Sequence, residues 1–349
     1  MSEAIPTQRI PTIDVAKGVG ILLVVLGHNA VFREHMHSAY EAIYLFHMPL
    51  FFFLSGVTFR VAEPATAFRK RFRSLLVPYF AMALLAVAFD ALTGDPAAAL
   101  DEIGGVLYGT GSTLRFTPLW FLPCLFIVSM SATLLLRGRS QVRAAVAIAI
   151  LGGVIGVWTL TSSRFGLPPF QDATGRPLGL PWSLDLLPFV LSLFVLGVLF
   201  ARARFVRDCP AAWLVVSGGI GMLVLLASHG ASLDLNYRRM TNPLAVILAM
   251  AAGVAAVLAL SARIARYAPA ARLFSYLGSA SLVLLMLHSP VQRRVLERLA
   301  PWVTNGPLLA FGGTIVAVTL ICVIDVGALR RIPALGWVCY PRRAPATAV

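Results

Sequence analysis

The chain carries little charge for its length. Of its 349 residues, 13% are charged and 58% are hydrophobic, whereas a soluble domain has about 25% charged residues. With a mean hydropathy of +0.82, this excludes an ordinary water-soluble globule. Cysteine is also scarce. Cys124, Cys209, Cys322 and Cys339 are scattered, with no CxxC and no Cys/His metal spacing, which excludes a disulfide framework and gives no metal site. GxGxxG, P-loop, HExxH and GxSxG patterns are all missing, so the chemistry those local structures support is not expected. No heptad run, low-complexity tail, clear internal repeat or cleavable signal peptide is evident, the first apolar run following a polar, Pro-containing segment.

What the sequence does have is apolar runs near 20 residues along its whole length, about the number a helix needs to cross a bilayer core. Open sheets cannot span lipid, so the expected fold is all-α: a polytopic membrane helix bundle forming a single domain over residues 1–349. Ten spans are expected, at about residues 17–36, 40–59, 75–93, 118–136, 143–161, 183–201, 211–228, 242–262, 273–289 and 307–326. With both termini cytoplasmic, the inside segments hold 20 of the 29 basic residues, as the positive-inside rule requires. These are Arg9 and Lys17; Arg60, Arg69, Lys70, Arg71 and Arg73; Arg137, Arg139 and Arg143; Arg202, Arg204 and Arg207; Arg263, Arg266 and Arg272; and Arg330, Arg331, Arg342 and Arg343. The net charge of +14 is therefore a topology signal, and nucleic acid is not an expected partner. The longest loops all fall outside, and ten of the fifteen carboxylates lie on or near that side.

Against this apolar background the ionisable residues stand out, because such groups inside a membrane are unfavourable unless they have a task or a partner. GILLVVLGHN ends on His28 and Asn29, and FHMPLFFFLSG carries His47 beside Pro49. His28 lies 11 residues after Lys17, or about 16 Å up a helix, and His47 lies 13 residues before Arg60, or about 20 Å above the same face. Two spans of opposite direction thus bring two imidazoles to similar depth. Imidazole suits proton abstraction near neutral pH, although either ring could instead hydrogen-bond a neighbouring helix. FRKRFRS concentrates Arg69, Lys70, Arg71 and Arg73 at the start of the third span, where they could clamp phosphates or attract anionic lipid. Asp14 and Lys17 are three residues apart and could pair. SYLGSASLVLLMLHSP ends on His288 before a proline, a position that reads as an anchor at the outer interface. His229 and Asp234 have the spacing of soluble-face glycerolipid acyltransferases, but they fall in an outside loop and are set aside as the main site. Ten spans with buried histidines also suit a proton-coupled secondary transporter, though no inverted repeat supports one.

RIPTIDVAKGVGILLVVLGHN, LFHMPLFFFLSG, FRKRFRSLLVPYF, PLWFLPCLF and SYLGSASLVLLMLHSP, in this order, resemble the acyltransferase-3 family of integral membrane acyltransferases. The sequence is most similar to its exopolysaccharide and sugar O-acetyltransferases, the fucose-acetylase-like branch. The resemblance implies about ten core helices in a bacterial inner membrane. It implies acetyl-CoA as a cytoplasmic co-substrate, no permanently bound cofactor, and a glycan or lipid-linked sugar acceptor at the outer face; polysaccharide-assembly proteins are possible partners. The family's first-span histidine matches His28, and its basic residue at the start of that span matches Lys17. The family's cytoplasmic Arg-x-x-Arg pattern falls on FRKRFRS with a departure: counting back from Pro78 gives Arg71 and Ser74, and a shift of one gives Lys70 and Arg73. His28 is then expected as general base or acetyl acceptor, His47 as a lining residue of the same cavity, and Lys17, Arg69, Lys70, Arg71 and Arg73 as donor-binding groups. A longer acyl group or a small-molecule acceptor is the alternative within the same chemistry.

Overall fold

Helix boundaries follow from where backbone donors are removed or side chains take their place. The computed structural model describes residues 11–93, 96–137, 141–162, 170–172, 174–202 and 212–340. Arg9, Arg139, Arg204, Arg207, Arg342, Arg343 and Cys209 lie outside the described residues. Helix α1 (Pro11–Gly27) stops where the His28 ring turns back on the Val24 carbonyl. The Asn29 side chain then accepts from the Phe32 amide at 3.1 Å and caps α2 (Ala30–His35), as a short polar N-cap should. After α3 (His37–Tyr44) the chain breaks at Leu45 and Phe46, and α4 (His47–Val57) begins. Pro49 has no amide to offer the Leu45 carbonyl, so the interruption falls just before His47. Both histidines of interest therefore sit at helix breaks, where backbone and side chain can face a cavity.

α5 (Pro64–Arg71) passes through a π-helical turn, Phe72–Leu76, into α6 (Val77–Thr93). α7 (Pro96–Tyr108), α8 (Phe121–Leu135), α9 (Gln141–Thr161), α10 (Leu187–Arg202) and α11 (Ala212–Ser228) follow. A small antiparallel hairpin of β1 (Ser232–Asp234) and β2 (Arg239–Thr241), with Leu233 opposite Met240, leads to α12 (Pro243–Ile264). The chain closes with α13 (Ala268–Ser279), α14 (Ser281–Leu299), α15 (Gly306–Ile324), a second π turn at Asp325–Leu329 and α16 (Pro333–Cys339).

Among the described residues seven helices are long and apolar enough to cross a membrane, or eight if the bent pair α13–α14 is one span. Each of the ten expected spans has a helix at its place, but three depart from a simple crossing. The first ends early at His28. The seventh, α11, has only 17 residues. The ninth is bent by 76° between α13 and α14. Large apolar side chains such as Leu151, Val154, Leu214, Leu225, Ile315 and Val323 are exposed on the outer helices, the pattern of a bundle that meets lipid rather than water. α1 lies at the centre against α4, α12, α13 and α14. Its crossing with α13 is close enough that a Cβ on Gly18 would strike the Phe274 carbonyl, and one on Gly278 the Asp14 carbonyl; small residues permit such approach in membranes.

Candidate active site

Three imidazoles converge where α1, α4 and α14 meet. The His28 ring lies edge-on to His288 with centroids 5.0 Å apart and edge-on to His47 at 6.3 Å. Tyr44 packs against His47 at 4.7 Å. Each histidine turns Nδ1 to a carbonyl of its own helix. His28 donates to Val24 at 2.8 Å, His47 to Ile43 at 3.0 Å, and His288 to Leu284 and Leu285, each at 3.0 Å. A carbonyl can only accept, so Nδ1 carries a proton in all three rings, and in the neutral form of each ring Nε2 keeps its lone pair. His28 is the one of the three that is only partly buried. The Nε2 of His288 is buried without a hydrogen-bond partner among the described residues. The three rings do not form a group that could hold a metal ion.

A polar layer fixes this arrangement from behind. Asn29 donates to the Ala310 carbonyl at 2.9 Å and to the Thr314 hydroxyl at 3.1 Å. Gln292, one turn beyond His288 on α14, donates to the Val25 carbonyl at 3.0 Å and to Thr314 at 3.3 Å. Asn29 and Gln292 are essentially unexposed, so α1, α14 and α15 are tied by bonds that membrane surroundings cannot replace.

Two cavities approach His28 from opposite ends of the bundle. One, of about 310 Å³, opens among the long loops and is lined by His28, His47, Tyr44, Trp120, Asp234 and Arg33. The other, of about 880 Å³, opens at the end where α1 begins and is lined by Lys17, Arg272, Arg330, Ser74, Ser275 and Tyr276. Val24, Met48 and Leu285 line both. Val24 is the residue whose carbonyl holds His28, so the ring stands beside the shared wall.

Two π turns border the larger cavity, the first supplying lining residues and the second standing just before Arg330. Such turns aim side chains out of helical register and are frequent at functional sites. The first places Ser74 and Leu75 in the lining. The second buries Asp325, which accepts from Arg330 Nε at 2.7 Å and from Tyr276 at 2.9 Å. Tyr340 also donates to Asp325, and Arg330 lies over the rings of Tyr276 and Tyr340 at 5.0 and 4.7 Å. Burial and the hydrogen bond to Asp325 push the Tyr340 phenol up.

The mouth of the smaller cavity is organised by loops tied to one another. Ser112 donates to the Pro177 carbonyl, Tyr108 to Gly179 at 2.6 Å and Trp182 to Leu107 at 2.9 Å. The β hairpin is pinned above them by Arg238, 2% exposed, whose Nε donates to Asp185 at 2.9 Å and whose Nη1 donates to the Asn236 carbonyl at 2.7 Å. Gly179, at φ +65°, leaves the room that the Arg238 guanidinium fills; a Cβ there would be both strained and in contact. The hairpin in turn supplies Leu233, Asp234 and Asn236 to the cavity wall.

The residues singled out in the sequence are thus divided. His28 and His47 share one cavity and Lys17 lines the other. Arg69, Lys70, Arg71 and Arg73 line neither: Arg71 lies over the Phe59 ring at 5.7 Å and Arg73 over Trp337 at 5.5 Å. Arg272 and Arg330 supply guanidinium groups to the lining instead. His288 is no interface anchor: it is wholly buried against His28, because the bend at Ala280 swings α14 under α1. His229 is exposed and bonded to its own helix at Leu225, while Asp234 alone reaches the cavity. His288, Gln292, Arg238 and Asp185 were missed or misplaced because the contacts that place them, His288 on His28, Gln292 on Val25 and Arg238 on Asp185, join residues 53 or more apart in sequence.

These features define a multi-pass membrane protein with a histidine between two vestibules. A family model described as an acyltransferase domain matches residues 10–326, and the chain belongs to the acyltransferase-3 family. No curated protein and no solved structure matches it. Family membership makes the protein a membrane acyltransferase and sets aside the transporter reading.

Proposed function

We propose that the protein is an O-acetyltransferase that takes acetyl from cytoplasmic acetyl-CoA and places it on a sugar hydroxyl of an exopolysaccharide or lipid-linked oligosaccharide at the outer face of a bacterial inner membrane. One observation carries this reading: two cavities from opposite ends share a wall at Val24, Met48 and Leu285 beside His28. The larger vestibule sets Lys17, Arg272 and Arg330 against one lining carboxylate, Asp14, and this cationic excess suits the phosphate-rich end of the donor, since guanidinium and ammonium groups hold phosphate well. The basic run Arg69, Lys70, Arg71 and Arg73 lies beside that mouth on α5 and the π turn, placed to attract the donor electrostatically. The thioester arm then runs between Met48 and Leu285 towards His28.

The chemistry follows from the tautomer. With Nδ1–H held by Val24, His28 Nε2 removes the proton of the acceptor hydroxyl as the oxygen attacks the acetyl carbonyl. The C–S bond breaks as the tetrahedral intermediate collapses, and the leaving thiolate recovers the proton from the imidazolium. His47 and Tyr44 line the acceptor side, where they orient the hydroxyl. The test uses the purified chain in nanodiscs with acetyl-CoA and a bacterial glycan-lipid extract, following free CoA and the mass of the product. Wild type releases CoA and yields an acetylated glycan, whereas an equally folded His28→Ala protein does neither. Equal release by both would remove His28 from the chemistry.

A further inference from the structure

The vestibule on the loop side has a charge that its sequence neighbourhood does not suggest. Ten of the fifteen carboxylates belong to this side of the chain, and the outer loops would be expected to meet sugar hydroxyls with carboxylates. Among the described residues, however, Asp234 is the only carboxylate in the lining, while Arg33, Arg115 and Arg176 reach it from three separate segments. Two acids of the neighbouring loops are engaged elsewhere: Asp185 holds Arg238, and Asp172 accepts from the Thr174 side chain at 2.7 Å and from the Arg176 amide at 2.9 Å. Asp234 itself accepts from the backbone amides of Asn236 and Tyr237 at 2.8 and 2.9 Å, and its burial disfavours the charged form. Three arginines against one carboxylate give this lining a net positive count among the described residues, at the end of the bundle where orientation requires no cations.

Two further features fit a sugar against such a lining. Asn236 Oδ1 is buried and accepts no hydrogen bond among the described residues, in a residue that lines this cavity; an unmet buried acceptor is unfavourable until a donor such as a hydroxyl arrives. The aromatic residues Trp120, Tyr40 and Tyr237 line the same space. We propose that the vestibule takes an acceptor sugar bearing an anionic group, a carboxylate or a phosphate, held at the rim by Arg33, Arg115 and Arg176 while a neighbouring hydroxyl is presented to His28. Arginine suits this role because its planar fork matches both anions with two parallel hydrogen bonds. The proposal rests on the O-acyltransferase reading and narrows its substrate class.

The test measures binding to the full chain in nanodiscs of uncharged lipid, with no donor present. The probes are labelled trigalacturonate, its carboxyl-reduced neutral counterpart, and a trisaccharide phosphate, each at low and high salt. Wild type is expected to bind the anionic probes at least about tenfold more tightly than the neutral one, the effect of one good charge-assisted contact, with the gap narrowing as salt rises. In a protein carrying R33Q, R115Q and R176Q the ratio falls towards one. Preference for the carboxylate identifies a uronate acceptor, and preference for the phosphate a phosphorylated one. Equal binding of charged and neutral probes by wild type overturns the proposal, and so does a preference that survives the triple substitution. Acyl transfer assayed in parallel separates the two readings. A charge preference without transfer to any acceptor refutes the O-acyltransferase reading alone, whereas transfer indifferent to acceptor charge refutes the anion site alone.

Discussion

The two vestibules are built by different means. The larger one sits among helices, and its charged groups stand on α1, on α13 and just after the second π turn, with Arg330 braced by the buried Asp325. The smaller one is roofed by loops and a hairpin, braced by a buried ion pair between Arg238 and Asp185. A donor that is the same for every turnover suits walls made of regular helices. An acceptor that differs between proteins suits walls made of loops, which tolerate change while a rigid scaffold holds the chemistry in place. His28 belongs to the scaffold between them.

The comparison yields ordered predictions. The largest effect belongs to the junction: His28→Ala should lower acetyl transfer by about 10²–10⁴-fold, the range for a lost general base, with thermal stability unchanged, as CoA release and a melting curve together would show. Breaking the hairpin brace comes next. Arg238→Ala leaves Asp185 buried without its partner and should destabilise the protein by about 3–5 kcal/mol, read as a lower melting temperature and loss of acceptor binding with donor binding kept. If donor binding falls equally, the vestibules are not independent. On the donor side, Lys17→Ala or Arg272→Ala should raise the KM for acetyl-CoA by about tenfold, one charge-assisted contact, while the acceptor KM stays constant in steady-state assays. Gln292→Leu removes two bonds behind the histidines and should lower stability by about 1 kcal/mol, again by melting.

The smallest effect is one of pH. Burial raises the Asp234 pKa in the folded protein, so its contribution to stability is greatest below the unfolded value and is lost as pH rises through the folded value. Asp234→Asn should therefore gain stability relative to wild type on going from acid to neutral pH. A difference that is flat with pH would show that the carboxylate is as well solvated in the fold as out of it.

Much of the junction was legible in the sequence, for a physical reason. His28 and Lys17 are ionisable groups in an apolar run, and helix geometry fixes their separation. The break at His47 was marked by Pro49. The rest depends on how helices turn and bend. Four cations within FRKRFRS signal a basic end, but not that Arg71 and Arg73 lie over aromatic rings while Arg272 and Arg330 enter the lining. His288 before Pro290 reads as a span terminus; only the 76° bend carries it beneath His28. Asp185 and Arg238 give no local signal, since 53 residues separate them. Ten apolar runs likewise mark ten helices, without saying that α1 stops at Gly27 or that the ninth run folds into two.

The central claim is that one path crosses the bundle, with donor and acceptor meeting at His28 from opposite ends. Proteoliposomes test it directly, with acetyl-CoA added outside and a bacterial glycan extract sealed within. The account predicts acetylated glycan inside wild-type vesicles and none in vesicles carrying His28→Ala. Product that forms only when donor and glycan share the same side would contradict it.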